Sequence, residues 1–417
     1  MHGEVAGTLT RTRSGVRFEY RDEYRTDPAA TPLSVAMPLT VRAHTDAVVE
    51  PWLRGLLPDD DDVIDRWARQ FGVRGRAVFD LLAAPIGEDC AGAVQFCAPE
   101  RVDDVLARPG GVEWLTDAEV AARLRSLRTD RASWLGPDFT GQWSLAGNQA
   151  KTALHFEDGR WGDPRGATPT THILKPAIAG LDEHDLNEHL CLRAAHAAGL
   201  LVARTSVARF EDQSAIVVER YDRRRAGGEV MRVHQEDACQ ALGVFPADKY
   251  ESTGGPSAER LVELFRTVMP ASVAEDAVWR FVDALAWNWI IAGTDAHAKN
   301  YSLLLSGDQV RLAPLYDVAS ALAYPDLYVP KLHLAMRVGG EYQLGIIAGR
   351  HWCRLAGSLA LDADAVIERV RALAERTPDA FSQAVGDAGL GGLGSRLPAR
   401  LVDAVADRAA RCRSLVG

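Results

Sequence analysis

Hydrophobic and polar positions alternate over residues 5–20: Val16, Phe18 and Tyr20 are interleaved with Arg17 and Glu19 after a Ser14-Gly15 turn signal, which predicts a hairpin. The period lengthens in "LLPDDDDVIDRWARQFGV" (56–73), where Val63, Ile64, Trp67 and Phe71 recur at helical spacing. Its four aspartates stand at the positive N-terminal end. A cation site is the other reading of such a run, but a helix cap accounts for it more simply. A mixed α/β unit is therefore expected over residues 1–105, followed by a helix at 117–128 carrying Val120, Leu124 and Leu127. From Gly141 to Arg220 the pattern changes to short strands and Gly/Thr/Pro turns, with one helix. Beyond residue 233 the chain is expected to be nearly all helical, with clear helical spacing at 272–292, 364–376 and 399–415. One β-like interruption is expected there, Tyr301–Leu305 with Val310–Leu312, joined by a Ser306-Gly307-Asp308 turn. The glycine-rich stretch 386–397 reads as a loop, because no strand leads into it, and no internal repeat is visible.

At 417 residues the chain is long for one core. A net charge of −10 argues against a dedicated nucleic-acid coat or membrane-surface protein, which concentrate positive charge. Cys90, Cys97, Cys191, Cys239, Cys353 and Cys412 are scattered without metal-ligand spacing, as expected of buried thiols in a reducing cytosol. No leader or membrane-length apolar run is evident, so a cytoplasmic protein is expected. Only five of the 47 basic residues are lysines (Lys151, Lys175, Lys249, Lys299, Lys331). Lysines kept against such an arginine bias mark places where a compact ammonium is wanted rather than a planar guanidinium.

Candidate chemistry centres on "IIAGTDAHAKNYSLLL" (290–305), where Asp295, His297, Lys299 and Asn300 are clamped between two apolar segments. Protein-kinase catalysis needs an Asp to receive the substrate hydroxyl proton, an Asn for one Mg²⁺ and a second Asp for the other. Asp295 and Asn300 have the five-residue separation of a kinase catalytic loop, and Asp317 in "APLYDVASA" follows seventeen residues later. Upstream, "GQWSLAGNQAKTALHF" (141–156) supplies a glycine-bearing turn before an extended segment. It is not a Walker A loop, because Ala150 precedes Lys151 and no helix follows. "THILKP" (171–176) is strand-like, with Thr171, Ile173 and Lys175 on one face. In "DLNEHLCLRAAHAAG", Glu188, Cys191, Leu192 and Ala195 share a helix face, which puts a carboxylate on an apolar stripe. Lys175 is its natural partner; a Glu snorkelling at the helix edge is the alternative. His297 suits either a metal or, more simply, a hydrogen-bonded structural role, and the hard oxygens of Asn and Asp favour Mg²⁺.

These segments resemble the HipA-type toxin kinases of bacterial toxin–antitoxin systems. "SLAGNQAKTAL", "TPTTHILKP", "NEHLCLRAA", "VVERYDRR", "HQEDACQALG", "KYESTGGP", "TDAHAKN" and "LYDVASA" occur in that family's order, and "ATPLSVAMPL" and "CAGAVQ" resemble its N-terminal subdomain. The resemblance implies a two-lobed, protein-kinase-like α+β fold: an accessory subdomain (1–105), an N-lobe (106–232) and a helical C-lobe (233–417). It implies a serine/threonine kinase using ATP and Mg²⁺, with Asp295 as catalytic base and Asn300 and Asp317 as metal ligands. Nucleotide contacts are expected from Ala146, Gly147, Asn148, Gln149, Ala150, Lys151, Lys175, Glu219, Arg220, Tyr221, His297, Ala298, Lys299, Asn300, Tyr316 and Asp317, with Glu188 positioning Lys175. Residues 215–218 also read as a plain core strand. Ser144 matches the family's autophosphorylated loop serine, where a phosphate would eject the loop; an ordinary loop serine is the alternative. "HQED" and "KYESTGGP" acquire no mechanistic role. Two departures stand out: Ala296 where glycine is frequent, and Ala150 where an acid is common.

The expected partners are a small helix-turn-helix antitoxin, operator DNA mainly through that antitoxin, and an aminoacyl-tRNA synthetase as protein substrate, with no membrane. Competing readings are a small-molecule or lipid kinase and a catalytically silent corepressor scaffold. Standalone DNA binding is disfavoured, because no basic arm is visible.

Overall fold

The computed structural model describes residues 1–136, 142–178, 180–387 and 394–417. Gly141 and residues 388–393 of the glycine-rich stretch 386–397 lie outside the described residues. The chain forms two compact units and passes back and forth between them. One comprises Met1–Ala179, Ala208–Ala247 and Ser302–Val310; the other comprises Gly180–Val207, Asp248–Tyr301 and Arg311–Gly417.

The first unit opens with the expected hairpin, β1 (Gly7–Thr12) against β2 (Gly15–Tyr20), with β3 (Ala43–His44) on the far side of β2. Gly15 turns at φ +117°, and a Cβ there would stand 2.1 Å from Oδ1 of Asp46, which accepts the Val16 amide at 2.6 Å. Only glycine meets both demands. The aspartate run caps a helix as anticipated: helix Asp61–Gln70 starts at Asp60, whose carboxylate accepts the Asp62 amide at 2.9 Å. Helix Asp117–Thr129 begins with a Thr116/Glu119 capping box. Trp52, Trp67, Trp134 and Trp143 are wholly buried, Trp67 meets Trp134 edge-on, and Trp134 stacks on Trp143 at 6.3 Å.

Beyond them lies a six-stranded sheet of β4 (Gly110–Leu115), β5 (Thr152–Glu157), β6 (Arg160–Gly166), β7 (His172–Lys175), β8 (Thr205–Phe210) and β9 (Gln213–Glu219), in the order β4-β6-β5-β7-β9-β8. β7 is interior, with Leu174 opposite Thr152 on β5 and Lys175 opposite Ile216 on β9. Two further pieces were not foreseen: the hairpin β10 (Arg223–Ala226) with β11 (Glu229–Arg232), and β12 (His234–Asp237), which pairs with β13 (Ser302–Ser306). β14 (Gln309–Leu312) adds a third strand after a turn at Gly307.

The second unit is mainly helical. Helix Ala271–Ile291 is its buried axis, packed by Ala363–Asp387 and Leu397–Leu415, all three where helical spacing predicts them. Arg408 donates to the Trp289 carbonyl at 2.8 Å and so caps the axis helix, whose last residue is followed by Ala292 in the left-handed region at φ +55°. A second unforeseen hairpin, β15 (His333–Val338) with β16 (Glu341–Gln343), corrects the expectation of a single β interruption here. Among the cysteines, Cys90, Cys191, Cys239 and Cys412 are buried as expected, whereas Cys353 is exposed and Cys97 half-buried. Among the described residues no helix is long and apolar enough to cross a membrane.

Candidate functional site

In the first unit, the turn Ala146–Lys151 is fixed by its own chain and its neighbours. Lys151 is buried; its Nζ donates to the Ala146 carbonyl at 2.9 Å and lies 4.1 Å from the centroid of the Trp134 ring. Gly147 takes φ +100°, and a Cβ there would approach that ammonium to 2.9 Å. Its carbonyl accepts the Asp59 amide at 3.0 Å, and the Asn148 carbonyl accepts from Arg131 at 3.4 Å. Gln149 and Ala150 are half-buried, and Ala150 packs on the apolar core. Ser144 has no exposure, and its hydroxyl donates to the Leu56 carbonyl at 2.7 Å. Lys175 ends β7 with its side chain buried.

The segment Glu219–Tyr221 leads out of the end of β9. Glu219 is exposed at the end of β9, but the Arg220 guanidinium is buried and engaged elsewhere. It donates to Asp222 at 2.8 and 3.0 Å, to the Thr170 hydroxyl at 2.7 Å and to the Cys90 carbonyl at 3.0 Å. Tyr221 donates its hydroxyl to Gln235.

The same network contains a residue that sequence reasoning passed over. Buried Asp89 accepts from the Thr170 amide at 3.0 Å and from its hydroxyl at 2.6 Å, and pairs with Arg223 and Arg232, each at 2.9 Å. Burial pushes its carboxyl pKa up, but Arg223, Arg232 and Arg220 outweigh that and hold it well below the usual carboxylate range.

In the second unit, the catalytic-loop candidates do come together. Asp295 is exposed, while His297, Ala298, Lys299 and Asn300 are buried around a short 3₁₀ turn, Ala298–Asn300. The Asp295 carbonyl accepts the His297 amide at 2.8 Å and Nδ2 of Asn300 at 2.9 Å, which turns the Asn300 Oδ1 end the other way. Tyr316 donates its hydroxyl to the Lys299 carbonyl at 2.5 Å, tying the approach to Asp317 to that turn. Asp317 is exposed at φ +59°, a left-handed conformation that aspartate tolerates better than most residues. Three residues on, Ser320 exchanges hydrogen bonds with Asn187 at 2.9 and 3.1 Å. The Ala321 amide donates to Ala292 at 3.0 Å, just before the catalytic loop.

Helix His184–Ala197 is therefore joined to the Asp317 segment, and its Glu188, Cys191, Leu192 and Ala195 are all buried, as the shared face predicts. His297 is held neutral, its pKa lowered by burial against the opposing pull of Asp295 and Asp317. Ala296 takes a negative φ, so the expected cost of lacking glycine does not arise.

Asn300 and Asp317 offer hard oxygen donors that fit Mg²⁺, and no group of three or more His, Cys, Asp or Glu among the described residues forms a metal cage. Two protein ligands completed by phosphate oxygens are what such a donor set suits. Tyr250, also unflagged by sequence, donates its hydroxyl to Oδ1 of Asp295 at 2.7 Å. Periodicity could not reveal that contact, although the "KYESTGGP" motif marked the place.

The chain is similar to known proteins over nearly its whole length. Residues 1–97 match the HipA N-terminal domain and residues 143–381 the HipA-like C-terminal domain. The chain is 36% identical over 391 residues to Y4mE of Sinorhizobium fredii, which is named as a kinase, covering 92% of this chain and 90% of that one. It is 29% identical over 367 residues to the serine/threonine-protein kinase toxin HipA of Shewanella oneidensis, covering 85% and 81%. The solved complex of Shewanella oneidensis MR-1 HipA with HipB and operator DNA superposes with a TM-score of 0.85 at 26% identity, over 100% of this chain and 97% of that one. The chain belongs to the HipA family of serine/threonine-protein kinase toxins.

Proposed function

We propose that the chain transfers the γ-phosphoryl group of ATP to a serine or threonine hydroxyl of a protein and thereby arrests growth. Asp295 accepts the proton of that hydroxyl as the new O–P bond forms and ADP leaves. Asn300 and Asp317 hold Mg²⁺, which when bound neutralises charge on the β- and γ-phosphates. Lys175 grips the phosphates with Glu188 as its partner, Ala146–Lys151 covers them, and Glu219, Arg220 and Tyr221 form the hinge to the adenine. Residues 1–105 act as an accessory subdomain, with 106–232 and 233–417 as the kinase lobes. The observation that supports this reading best is the exposed Asp295 carboxylate on a loop whose backbone is pinned by Asn300 and His297, with Asp317 tied to the same turn through Tyr316.

The protein substrate is an aminoacyl-tRNA synthetase, phosphorylation of Ser144 silences the chain, and a HipB-like helix-turn-helix antitoxin neutralises it. Operator DNA is reached mainly through that antitoxin, in keeping with the net charge of −10 and with the composition of the Shewanella complex. Incubating the protein with γ-labelled ATP, Mg²⁺ and cell lysate tests the reading. Label on the chain and on a synthetase supports it; label confined to small molecules or lipids favours the alternative kinase class.

A further inference from the structure

The segment Lys249–Pro256 is wrapped onto the catalytic loop at three points. The Lys249 carbonyl accepts the Ala298 amide at 3.3 Å, the Tyr250 ring meets His297 edge-on at 5.0 Å, and the Tyr250 hydroxyl reaches Asp295 at 2.7 Å. The segment is itself rigidly held. The buried Glu251 carboxylate accepts the Arg337 amide at 2.8 Å and pairs with the Arg337 guanidinium at 2.8 Å, on β15. The Gly255 amide closes the turn onto the Tyr250 carbonyl at 2.9 Å, and a Cβ at Gly255 would stand 2.1 Å from the Asp248 carbonyl.

An exposed aspartate on a loop has free χ1 and χ2 rotation, and a base that wanders misses the hydroxyl it must deprotonate. We infer that Tyr250 is a positioning residue for phosphoryl transfer, its hydroxyl fixing Oδ1 of Asp295 so that Oδ2 faces the acceptor hydroxyl. The inference rests on the proposed role of Asp295 as base. A phenol donated to a carboxylate is a charge-assisted hydrogen bond, which orients the group.

The test compares the full-length wild-type chain with Tyr250→Phe, Tyr250→Ala and Asp295→Asn, following loss of phosphate from γ-labelled Mg–ATP to protein and water. Tyr250→Phe keeps the ring against His297 and removes only the hydroxyl. Its kcat is expected to fall roughly tenfold to a hundredfold, with KM for ATP and the thermal midpoint unchanged. Tyr250→Ala, lacking the ring as well, falls further and also melts earlier.

Wild-type kcat in Tyr250→Phe, with Asp295→Asn inactive, overturns the positioning role while leaving the kinase reading intact. Activity in Asp295→Asn overturns the base assignment and the inference with it. A Tyr250→Phe chain that loses thermal midpoint and ATP affinity together shows the hydroxyl to be structural, which also overturns the inference.

Discussion

The hydroxyl of Ser144 donates to the carbonyl oxygen of Leu56 at 2.7 Å, at a position with no solvent exposure. A phosphate there brings up to two negative charges into a space that holds one hydroxyl, so the 144–151 segment has to leave for the modification to occur or persist. Ser144→Ala is expected to lose the buried hydrogen bond at a cost of about 1 kcal/mol, read by chemical denaturation. It should block self-labelling from γ-labelled ATP yet preserve transfer to the target. Continued stoichiometric self-labelling would move the modified residue elsewhere.

Asp89 is the anion on which Arg223 and Arg232 converge, each at 2.9 Å. Asp89→Asn leaves buried guanidinium charge uncompensated, a change that costs about 3–5 kcal/mol in comparable buried pairs. Equilibrium denaturation should show a loss of that size. Because the folded carboxyl is held below its ordinary range, the stability it confers is present above the unfolded value of 3.8 and is lost as pH falls through its lower folded value. The variant should therefore lack that part of the acid sensitivity of the wild type.

Glu236 titrates in the opposite sense. Burial pushes its carboxyl pKa up to about 8 from 4.5, although it accepts the Val35 amide at 2.8 Å. The folded chain then keeps a proton that the unfolded chain releases, so this contribution is complete below pH 4.5 and is lost as pH rises through about 8. Glu236→Gln is expected to gain thermal midpoint relative to wild type progressively over that window. A difference between the two proteins that stays constant from pH 5 to pH 8 would contradict the assignment.

Much of this could be read along the chain because periodicity reports local burial. The hairpin at β1–β2, the capped helix Asp61–Gln70 and the helix face of Glu188 follow from spacing alone. Strands β10, β11, β15 and β16 escaped because each belongs to a two-stranded sheet of three to six residues, and Arg223-Arg224-Arg225 offers no hydrophobic alternation. Side-chain bonds to distant backbone were equally invisible, as with "HQED". His234 donates to the Leu33 carbonyl at 2.9 Å and Glu236 accepts from Val35, so that motif anchors the N-terminal "ATPLSVAMPL" segment. The partners of the Arg220 side chain, Thr170 and Cys90, are likewise remote in sequence.

The role of Asp295 is tested most directly by phosphoryl transfer from γ-labelled Mg–ATP to protein in Asp295→Gln, with ATP affinity measured on the same sample by calorimetry. Transfer should drop by at least about a hundredfold while ATP affinity stays within about twofold of wild type. Undiminished transfer by Asp295→Gln would contradict the assignment of this carboxylate as the base.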